Sequence, residues 1–298
     1  MAKVSIIMPA YNAEKYVDKA IMSVIGQIYD DWELVIVDDC STDRTAETCE
    51  SYSAKDGRIK LFKNISNQGI SRTKNIALSK ATGKYIAFCD DDDIMNEKAL
   101  SDNIKLMEEH DSQVVRWSYR TVRLNEKGDL VRVTNVDCKD GVYSSRKEIF
   151  DNYENVHTML SCDWTGLYDA SFLNKHSICF DESFRFGGED TNFNADTLKY
   201  VENMTMNSKC YYDWYLRKNH STTEKRNINF CMSMMQVAQK EYELIRDNCL
   251  NNRDIWTGYR AFYTNLIRKY AQSMTESEIN DVEDMLTGAE WANCYTSN

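Results

Sequence analysis

Four consecutive aspartates, Asp90 to Asp93, are the strongest chemical signal in this sequence. They follow a short apolar segment that ends in Phe88 and Cys89. Carboxylates crowded on an ordinary surface repel one another, but hard oxygen ligands at this density suit Mg²⁺ or Mn²⁺. Mg²⁺ usually takes one or two protein carboxylates and completes its shell with water and substrate phosphates. The run therefore predicts a divalent metal site, with a solvated acidic loop or the first turn of a helix as the alternative.

A second pair of acids, Asp38 and Asp39, closes another apolar segment. In a nicotinamide-binding fold such an acid would bind a ribose, but that interpretation needs a G-x-G-x-x-G turn after the first strand. Residues 9–14 read Pro-Ala-Tyr-Asn-Ala-Glu instead. The sequence therefore excludes a dehydrogenase and leaves an acid that contacts a nucleoside.

The third candidate is the segment Gly187-Gly188-Glu189-Asp190. Two glycines before two acids predict a flexible turn that presents a carboxylate to a cleft. Because residues 191–200 have a helical pattern, the capped start of a helix is an equal alternative.

Alternating strand and helix patterns connect these polar clusters. We predict strands at 4–8, 34–37, 58–62 and 84–89, and helices at 13–26, 41–53 and 69–81. Repeated β-α-β units of this length imply a parallel sheet with helices on both faces. Ligands bind such sheets beyond the carboxyl ends of the strands. Since three of the predicted strands end in the polar clusters at Pro9, Asp39 and Asp90, we expect a binding site at that edge.

The pattern changes beyond residue 110. We predict strands at 113–119, 121–125 and 130–134, the last two forming a hairpin around Gly128. Three helices are then predicted at 227–250, 254–273 and 276–288.

The overall composition restricts the class of protein. Its 298 residues include 36 basic and 47 acidic side chains, giving a net charge of −11, whereas nucleic-acid binding needs a basic surface. The ten cysteines are scattered, without a CxxC pair, which indicates reduced thiols. The sequence has neither a signal-peptide pattern nor an apolar run of about 18 residues, so it predicts a cytoplasmic protein.

Five motifs, in order, resemble glycosyltransferase family 2. They are residues 4–12, residues 33–43, residues 67–72 with Asn75, residues 88–93 and residues 188–190. Cys40 departs from the glycine that is common at its position. The resemblance implies the GT-A fold, an α/β architecture with a Rossmann-like, mixed and mainly parallel sheet flanked by helices, here with a C-terminal helical extension. It also implies metal-dependent, inverting transfer of a sugar from a nucleotide-diphosphate sugar to an acceptor hydroxyl.

The resemblance assigns residues to this reaction. The donor is expected to contact Pro9, Tyr11, Asn12, Glu14, Asp39, Arg72, Asp90 and Asp91. Asp92 matches a position that binds Mn²⁺ or Mg²⁺ directly, Asp90 pairs with it, and Asp93 supports it as a metal residue. Asp39 would accept a hydrogen bond from a uracil ring N–H, which favours a UDP-sugar.

An acceptor hydroxyl needs a positioned carboxylate to remove its proton. Asp190 matches the family's catalytic base. We also expect Glu189 and the aromatic side chains of Trp164 and Tyr168 to lie at the acceptor site, because aromatic faces stack on sugars. Core packing is the alternative for the two aromatic residues.

We predict a catalytic domain at 1–222, with a nucleotide-sugar half at 1–105 and an acceptor half at 106–222, followed by a helical region at 223–298. The expected acceptor is a glycan or a lipid-linked glycan in polysaccharide or glycolipid biosynthesis, and no nucleic acid is expected as a partner. An apolar and basic stripe between Ile255 and Tyr270 could associate with the inner face of a membrane, with core packing as the alternative. Two other functions stay open: a metal-dependent nucleotidyltransferase and a non-catalytic nucleotide-sugar-binding module.

Overall fold

The computed structural model describes residues 3–185, 187–217, 227–249 and 252–293. Within these residues it contains ten strands and twelve α-helices. The strands are β1 (Val4–Ala10), β2 (Trp32–Asp38), β3 (Ile59–Lys63), β4 (Tyr85–Phe88), β5 (Ile94–Met95), β6 (Val114–Leu124), β7 (Leu130–Val136), β8 (Gly141–Tyr143), β9 (Gly166–Asp169) and β10 (Met204–Arg217). The helices are α1 (Val17–Ile25), α2 (Thr45–Ser53), α3 (Ile70–Lys80), α4 (Ala99–Glu109), α5 (Arg146–Asp151), α6 (Tyr153–His157), α7 (Ala170–Lys175), α8 (Glu189–Tyr200), α9 (Ile228–Cys249), α10 (Arg253–Ala271), α11 (Glu276–Gly288) and α12 (Glu290–Asn293). A short 3-10 helix covers Asp163–Thr165.

All ten strands join one mixed sheet. Its order is β3-β2-β1-β4-β9-β6-β10-β5, with β7 added to β6 and β8 added to β10. Strands β1 to β4 are parallel to one another, and β10 is parallel to β6. Because β9 is antiparallel to both β4 and β6, the strands β6 and β10 run in the same direction as β1 to β4. The mixed, mainly parallel α/β architecture predicted from the sequence is confirmed.

Strands β1, β2 and β4 are buried on both faces, as expected for parallel strands covered by helices. Every residue of β1 and β2 is buried. Helix α1, predicted at 13–26, contributes Val17, Ala20, Ile21 and Val24 to the core, and these residues form an i, i+3, i+4, i+7 stripe. This packing fixes the carboxyl ends of β1, β2 and β4 next to one another.

Two predicted boundaries differ from the structure. Pro9 was expected to stop the first strand, but β1 continues through it to Ala10. On that side of β1 the pairing with β4 ends at Ile7 opposite Phe88, so the missing N–H of Pro9 removes no ladder bond. The two strands predicted at 113–119 and 121–125 form one strand, β6, which pairs with β10 through Leu124 and with β7 from Tyr119 to Leu124, with a register shift after Arg123.

The three long C-terminal helices lie close to their predicted positions and pack against the rest of the protein. The stripe on α10 faces inward, since Ile255 and Tyr259 are buried and Leu266 and Tyr270 are partly buried. The stripe therefore packs in the core, although Phe262 remains 39% exposed. The predicted domain boundary at 222/223 lies outside the described residues. Within the described chain, no helix has both the length and the apolar character needed to cross a bilayer.

Candidate active site

A cleft of about 370 Å³ opens at the carboxyl ends of β1, β2 and β4. Seven of the residues predicted from the sequence line it: Pro9, Tyr11, Asn12, Asp39, Asp90, Asp91 and Asp92. Trp214 and Tyr215 of β10 also line it. The position of the cleft agrees with the expectation from strand topology.

Hydrogen bonds tie together the two loops that follow β1 and β2. The backbone N–H of Asn12 donates to Ser41 Oγ at 3.0 Å, and Asn12 Oδ1 accepts from the backbone N–H of Thr42 at 2.8 Å. Asn12 and Cys40 have positive φ angles, 51° and 62°, which side-chain-bearing residues adopt at some cost. The cross-loop bonds offset that cost and fix the wall of the cleft.

Asp39 orders the floor of the cleft and is itself buried. Its Oδ1 accepts from Asn64 Nδ2 at 2.7 Å and from the backbone N–H of Gln68 at 2.8 Å. Its Oδ2 accepts from the backbone N–H of Gly69 at 2.9 Å, just before α3 begins. Gly69 has φ of +83°, so a side chain there would be strained.

Glu14 and Arg72 are not among the residues that line the cleft, and their contact with the donor stays a prediction. Glu14 is exposed and accepts a hydrogen bond from the backbone N–H of Arg44 at 3.2 Å. The side chain of Arg72 is 54% exposed and lies 3.7 Å from Glu182 Oε2. On α3 the buried positions include Lys74 but not Arg72.

The four aspartates after β4 point in different directions. Asp91 Oδ2 accepts from the backbone N–H of Tyr11 at 2.8 Å, and Asp92 Oδ2 accepts from Arg217 Nη1 at 2.6 Å. Asp93 is only 1% exposed, and its Oδ1 accepts from the backbone N–H of Tyr215 at 2.8 Å. Asp93 therefore anchors β10 through Oδ1, while its Oδ2 is buried without a hydrogen-bond partner among the described residues, and its supporting role at a metal site stays a prediction.

The electrostatics of this run fit a cation shared with a ligand. Burial raises the pKa of Asp90 to about 6, and burial together with the charge of Asp92 raises the pKa of Asp91. Asp90 Oδ1 is buried and has no hydrogen-bond partner among the described residues. The described residues contain no group of three or more His, Cys, Asp or Glu side chains arranged to hold a metal. Asp90 and Asp92 are thus two hard donors that suit Mg²⁺ or Mn²⁺ bound jointly with phosphates, not a complete protein cage.

Lys74 and Asp163 form a buried ion pair beside the cleft that the sequence did not predict. The Lys74 ammonium lies 2.7 Å from Asp163 Oδ2, 2.8 Å from Asp190 Oδ1 and 3.9 Å from Asp90 Oδ1. Although burial opposes it, the charges of Asp163 and Asp190 raise the pKa of Lys74 well above its usual value. The available signal was a lysine three residues before Ala77 on the inner face of α3.

Glu189 and Asp190 begin α8 after two glycines with positive φ, 99° at Gly187 and 91° at Gly188. The predicted glycine turn and the alternative of a helix start are therefore both present. Glu189 is 7% exposed, and burial together with the charge of Asp190 raises its pKa to about 7. The side chain of Asp190 keeps 20% of its surface exposed. Of the two acids, Asp190 is the more accessible.

Trp164 and Tyr168 are core residues, which corrects their assignment to the acceptor. Tyr168 is fully buried, and its hydroxyl donates to the backbone carbonyl of Asp163 at 3.0 Å. Trp164 is 3% exposed and stacks on Tyr212 at 4.3 Å between ring centroids. Trp214, whose ring lies 6.1 Å from that of Trp164, lines the cleft instead. The aromatic run at 211–215 was the signal for this wall.

Comparison with known proteins identifies a family and a fold. The family model described as "Glycosyl transferase family 2" matches residues 5–177. The chain is 26% identical over 242 residues to the uncharacterized glycosyltransferase EpsJ of Bacillus subtilis, covering 80% of this chain and 67% of EpsJ. It is 25% identical over 292 residues to the glycosyltransferase GlyG of Streptococcus pneumoniae, covering 94% of this chain and 92% of GlyG.

A third relative, from Staphylococcus aureus, has a solved structure. This is the poly(ribitol-phosphate) beta-N-acetylglucosaminyltransferase TarS, 28% identical over 218 residues, which covers 71% of this chain and 35% of TarS. A crystal structure of a TarS fragment in complex with UDP-GlcNAc superposes with a TM-score of 0.71 at 23% identity. That superposition covers 96% of this chain and 81% of the fragment, and it shows a common fold.

Proposed function

The chain belongs to glycosyl transferase family 2, and we propose that it transfers a sugar from a UDP-sugar to a hydroxyl group of an acceptor glycan, with inversion at the anomeric carbon. Membership of the family makes it a glycosyltransferase and excludes the nucleotidyltransferase alternative. One observation carries the proposed mechanism. Asp90, at the donor cleft, and Asp190, the proposed base, lie on two sides of the same lysine.

The nucleoside is proposed to bind between the tied loops after β1 and β2. A carboxylate oxygen can accept more than one hydrogen bond, and Asp39 Oδ2 accepts only that of Gly69 within the described residues. Asp39 therefore keeps acceptor capacity for a uracil ring N–H. The complex of the related TarS fragment with UDP-GlcNAc supports the choice of a UDP-sugar.

The donor diphosphate is proposed to lie against Asp90 and Asp92. These two residues would hold Mn²⁺ or Mg²⁺, which as a Lewis acid stabilises negative charge on a departing nucleoside diphosphate. The Arg217 guanidinium, paired with Asp92, adds a positive charge on the same side of the cleft. The presence of Mn²⁺ in a complex of a distant structural neighbour, a mannosyltransferase at 13% identity, motivates the choice of ion to test.

Asp190 is proposed to take the proton of the acceptor hydroxyl as that oxygen attacks the anomeric carbon. The arrangement resembles inverting glycosidases, in which a carboxylate activates a water on the face opposite the leaving group. Here an alcohol replaces the water. Trp214 and Tyr215, which line the cleft, offer aromatic surface for the sugar rings.

The reaction is proposed to belong to polysaccharide or glycolipid biosynthesis and to take place in the cytoplasm. The name of TarS, a polymer-modifying N-acetylglucosaminyltransferase, supports a polymeric or lipid-linked acceptor. Attachment to a membrane through α10 has less support, because its apolar stripe is used in packing.

Donor and metal binding can be tested by calorimetry. UDP is titrated into the protein with Mn²⁺ and with EDTA, and the series is repeated with Asp92→Asn. Asp151→Asn is a matched control, because Asp151 is an exposed aspartate paired with Lys147 far from the cleft. We expect Mn²⁺ to strengthen UDP binding in the wild type and the control, and to have little effect in Asp92→Asn. Equal affinity under all conditions contradicts the metal assignment, and tighter binding of GDP than of UDP contradicts the uridine preference.

The stereochemistry can be tested without knowing the acceptor, because water can take the place of the alcohol. Incubation with UDP-GlcNAc and Mn²⁺ should release UDP and free sugar. ¹H NMR at early times should show the β-anomer of the sugar, since the donor linkage is α. Initial release of the α-anomer would exclude inversion.

A further inference from the structure

We infer that Lys74 is a positioning residue of the transfer reaction, which holds one oxygen of Asp190 so that the other oxygen faces the attacking hydroxyl. The inference rests on the proposed function of Asp190 as the base. Lys74 is wholly buried and is therefore not a group that binds substrate from the cleft. Its effect on the reaction is exerted through the carboxylates it contacts.

The geometry around the ammonium joins a buried anchor to two partly exposed acids. The side chains of Lys74 and Asp163 are both 0% exposed, while those of Asp190 and Asp90 are 20% and 24% exposed. The distances from Nζ to Asp163 and Asp190 are hydrogen-bond distances, and that to Asp90 is an ion-pair distance. Lys74 thus lies between the acid on the donor side and the acid proposed as the base.

The backbone around Lys74 is held by hydrogen bonds to residues 180–184, the segment that precedes the glycine turn at Gly187 and Gly188. Ser71 Oγ donates to the backbone carbonyl of Phe184 at 3.0 Å. Asn75 Nδ2 donates to the carbonyl of Phe180 at 2.8 Å, and the N–H of Phe180 returns a bond to Asn75 Oδ1 at 2.9 Å. The Phe180 ring also lies 5.1 Å from the ammonium. Because these bonds flank Lys74 on α3, the position of Nζ relative to Asp190 is set by packed structure.

The anchor, Asp163, is held in turn by a buried arginine. Arg116 Nη2 donates to the carbonyl of Cys162 at 2.5 Å and to Thr165 Oγ1 at 2.7 Å, on either side of Asp163. A fully buried carboxylate of this kind contacts no substrate, and Lys74 is the partner of its Oδ2. The buried pair Asp163–Lys74 therefore fixes the position of the Asp190 oxygen that contacts Lys74.

This support has a chemical consequence for the base. Asp190 Oδ1 is occupied by Lys74, whereas its Oδ2 has no hydrogen bond within the described residues. A carboxylate held by one oxygen keeps the other in a defined direction. Since displacement of a reacting group by about 1 Å can reduce a rate by about 10²-fold, loss of the tether should reduce turnover strongly.

A double substitution separates positioning from folding. Lys74→Met alone leaves Asp163 as an unpaired buried charge and is expected to destabilise the protein, whereas Lys74→Met with Asp163→Asn removes both charges. Lys74→Arg keeps a cation near Asp190. Four proteins, the wild type and these three variants, are compared by thermal unfolding, by UDP affinity with Mn²⁺, and by the kcat and KM of UDP release from UDP-GlcNAc.

We expect the double variant to regain much of the Tm lost by Lys74→Met while its kcat stays about 10²-fold below that of the wild type. UDP affinity and KM should change by less than about threefold, and Lys74→Arg should have a kcat above that of Lys74→Met. A double variant with wild-type kcat would show that the lysine only stabilises the fold, and this overturns the inference. A parallel loss of UDP affinity overturns it as well, because the lysine would then serve the donor. A wild type that binds UDP but releases none from UDP-GlcNAc or from any other UDP-sugar in a panel overturns the proposed transfer itself, whereas unaffected variants of an active wild type overturn only the role of Lys74.

Discussion

At the scale of single residues, two adjacent carboxylates at the start of α8 have different surroundings. Asp190 is paired with the buried ammonium of Lys74 and is partly exposed. Glu189 is buried, and its Oε2 has no hydrogen-bond partner among the described residues. Different environments commonly divide the roles of neighbouring acids. The contact with Lys74 and the greater exposure favour Asp190 as the base, whereas burial raises the pKa of Glu189 to about 7.

The role of Asp190 predicts a specific kinetic effect. Asp190→Asn keeps the shape of the side chain but is too weak a base to take a proton, so UDP release from UDP-GlcNAc should fall by about 10²–10⁴-fold. UDP affinity should change little, because the lost function acts on the nucleophile. Glu189→Gln is the matched control and should retain more activity. If the control loses all turnover while Asp190→Asn keeps it, the base is Glu189.

The buried position of Glu189 predicts an effect on stability that depends on pH. Its pKa in the folded protein, about 7, lies above its ordinary value of 4.5, so the folded state binds this proton more tightly than the unfolded state. Stability is therefore lost as the pH rises from 4.5 through 7. Glu189→Gln removes this loss and should stabilise the protein by about 1–3 kcal/mol near pH 8. Near pH 4.5 this gain in the free energy of unfolding should vanish. Chemical denaturation of the wild type and Glu189→Gln at pH 4.5 and pH 8 measures the gain. An equal gain at both pH values would contradict the explanation by the pKa of Glu189.

The sequence identified site residues where strand topology alone fixes their position. Pro9 lies near the carboxyl end of β1, and Asp39 and Asp90 follow the neighbouring parallel strands β2 and β4, so their approach could be predicted. Lys74 and Asp163 could not be paired from sequence, because 89 residues separate them and nothing local links α3 to the 3-10 helix. A motif gives residue types but not the rotation of the helix that carries them, so the inward direction of Lys74 on α3 could not be predicted either.

At the scale of elements, helix α9 packs directly on the glycine turn before α8. A Cβ at Gly188 would lie 3.3 Å from Met234 Sδ, and a Cβ at Gly187 would lie 3.0 Å from the Phe230 ring. Lys240 of α9 also pairs with Asp196 of α8 at 2.9 Å. The C-terminal helices therefore support the turn that presents the proposed base.

This packing predicts the effect of a single methyl group. Gly188→Ala places a side chain at φ of +91° and should destabilise the protein by about 1–2 kcal/mol. It should also reduce kcat, because helix α8, which carries Glu189 and Asp190 in its first turn, starts directly after Gly188. Gly258→Ala is the control: Gly258 lies within α10, and a Cβ there meets no atom within 4 Å. It should stabilise the helix by about 0.5–1 kcal/mol without altering kcat. Thermal unfolding and UDP release measure both effects, and unchanged turnover in Gly188→Ala would contradict the supporting role of the turn.

The elements predicted best were those with a complete local pattern. Helix α11 was predicted at 276–288 and occupies Glu276–Gly288, with a capping box between Thr275 and Glu278 at its start. Strand β9 was missed because its four residues, Gly166–Asp169, have no alternation of their own. It is a strand only because β4 and β6 lie on its two sides.

At the scale of the whole molecule, the C-terminal helices share a buried polar cluster with the catalytic part. Glu241 of α9 is fully buried and accepts from the hydroxyls of Tyr153 at 2.6 Å and Tyr263 at 2.5 Å. His157 Nε2 lies 3.5 Å from the same carboxylate. These contacts join α6, α9 and α10 into one core.

We therefore expect one cooperative unfolding transition and not two. Urea unfolding followed by far-UV circular dichroism and by tryptophan fluorescence should give the same midpoint. Glu241→Leu leaves two buried tyrosine hydroxyls without their acceptor and should lower both midpoints equally, at a cost of about 1–3 kcal/mol for each hydroxyl. Two separate midpoints, or a shift in only one, would support independent domains divided near residue 222.

The contacts of Lys74 also affect the order in which the donor cleft and the site of the proposed base fold. Most of the donor cleft comes from residues 9–92, whereas Lys74 meets Asp163 and Asp190 across 89 and 116 residues of chain. Contacts between distant parts of a chain close late, because the entropy of the intervening loop must be lost first. During refolding, protection of the early strands from hydrogen exchange should precede the return of turnover. On the ribosome, the strands β1, β2 and β4, whose ends form the donor cleft, would be complete more than a hundred residues before the proposed base, Asp190, is synthesised.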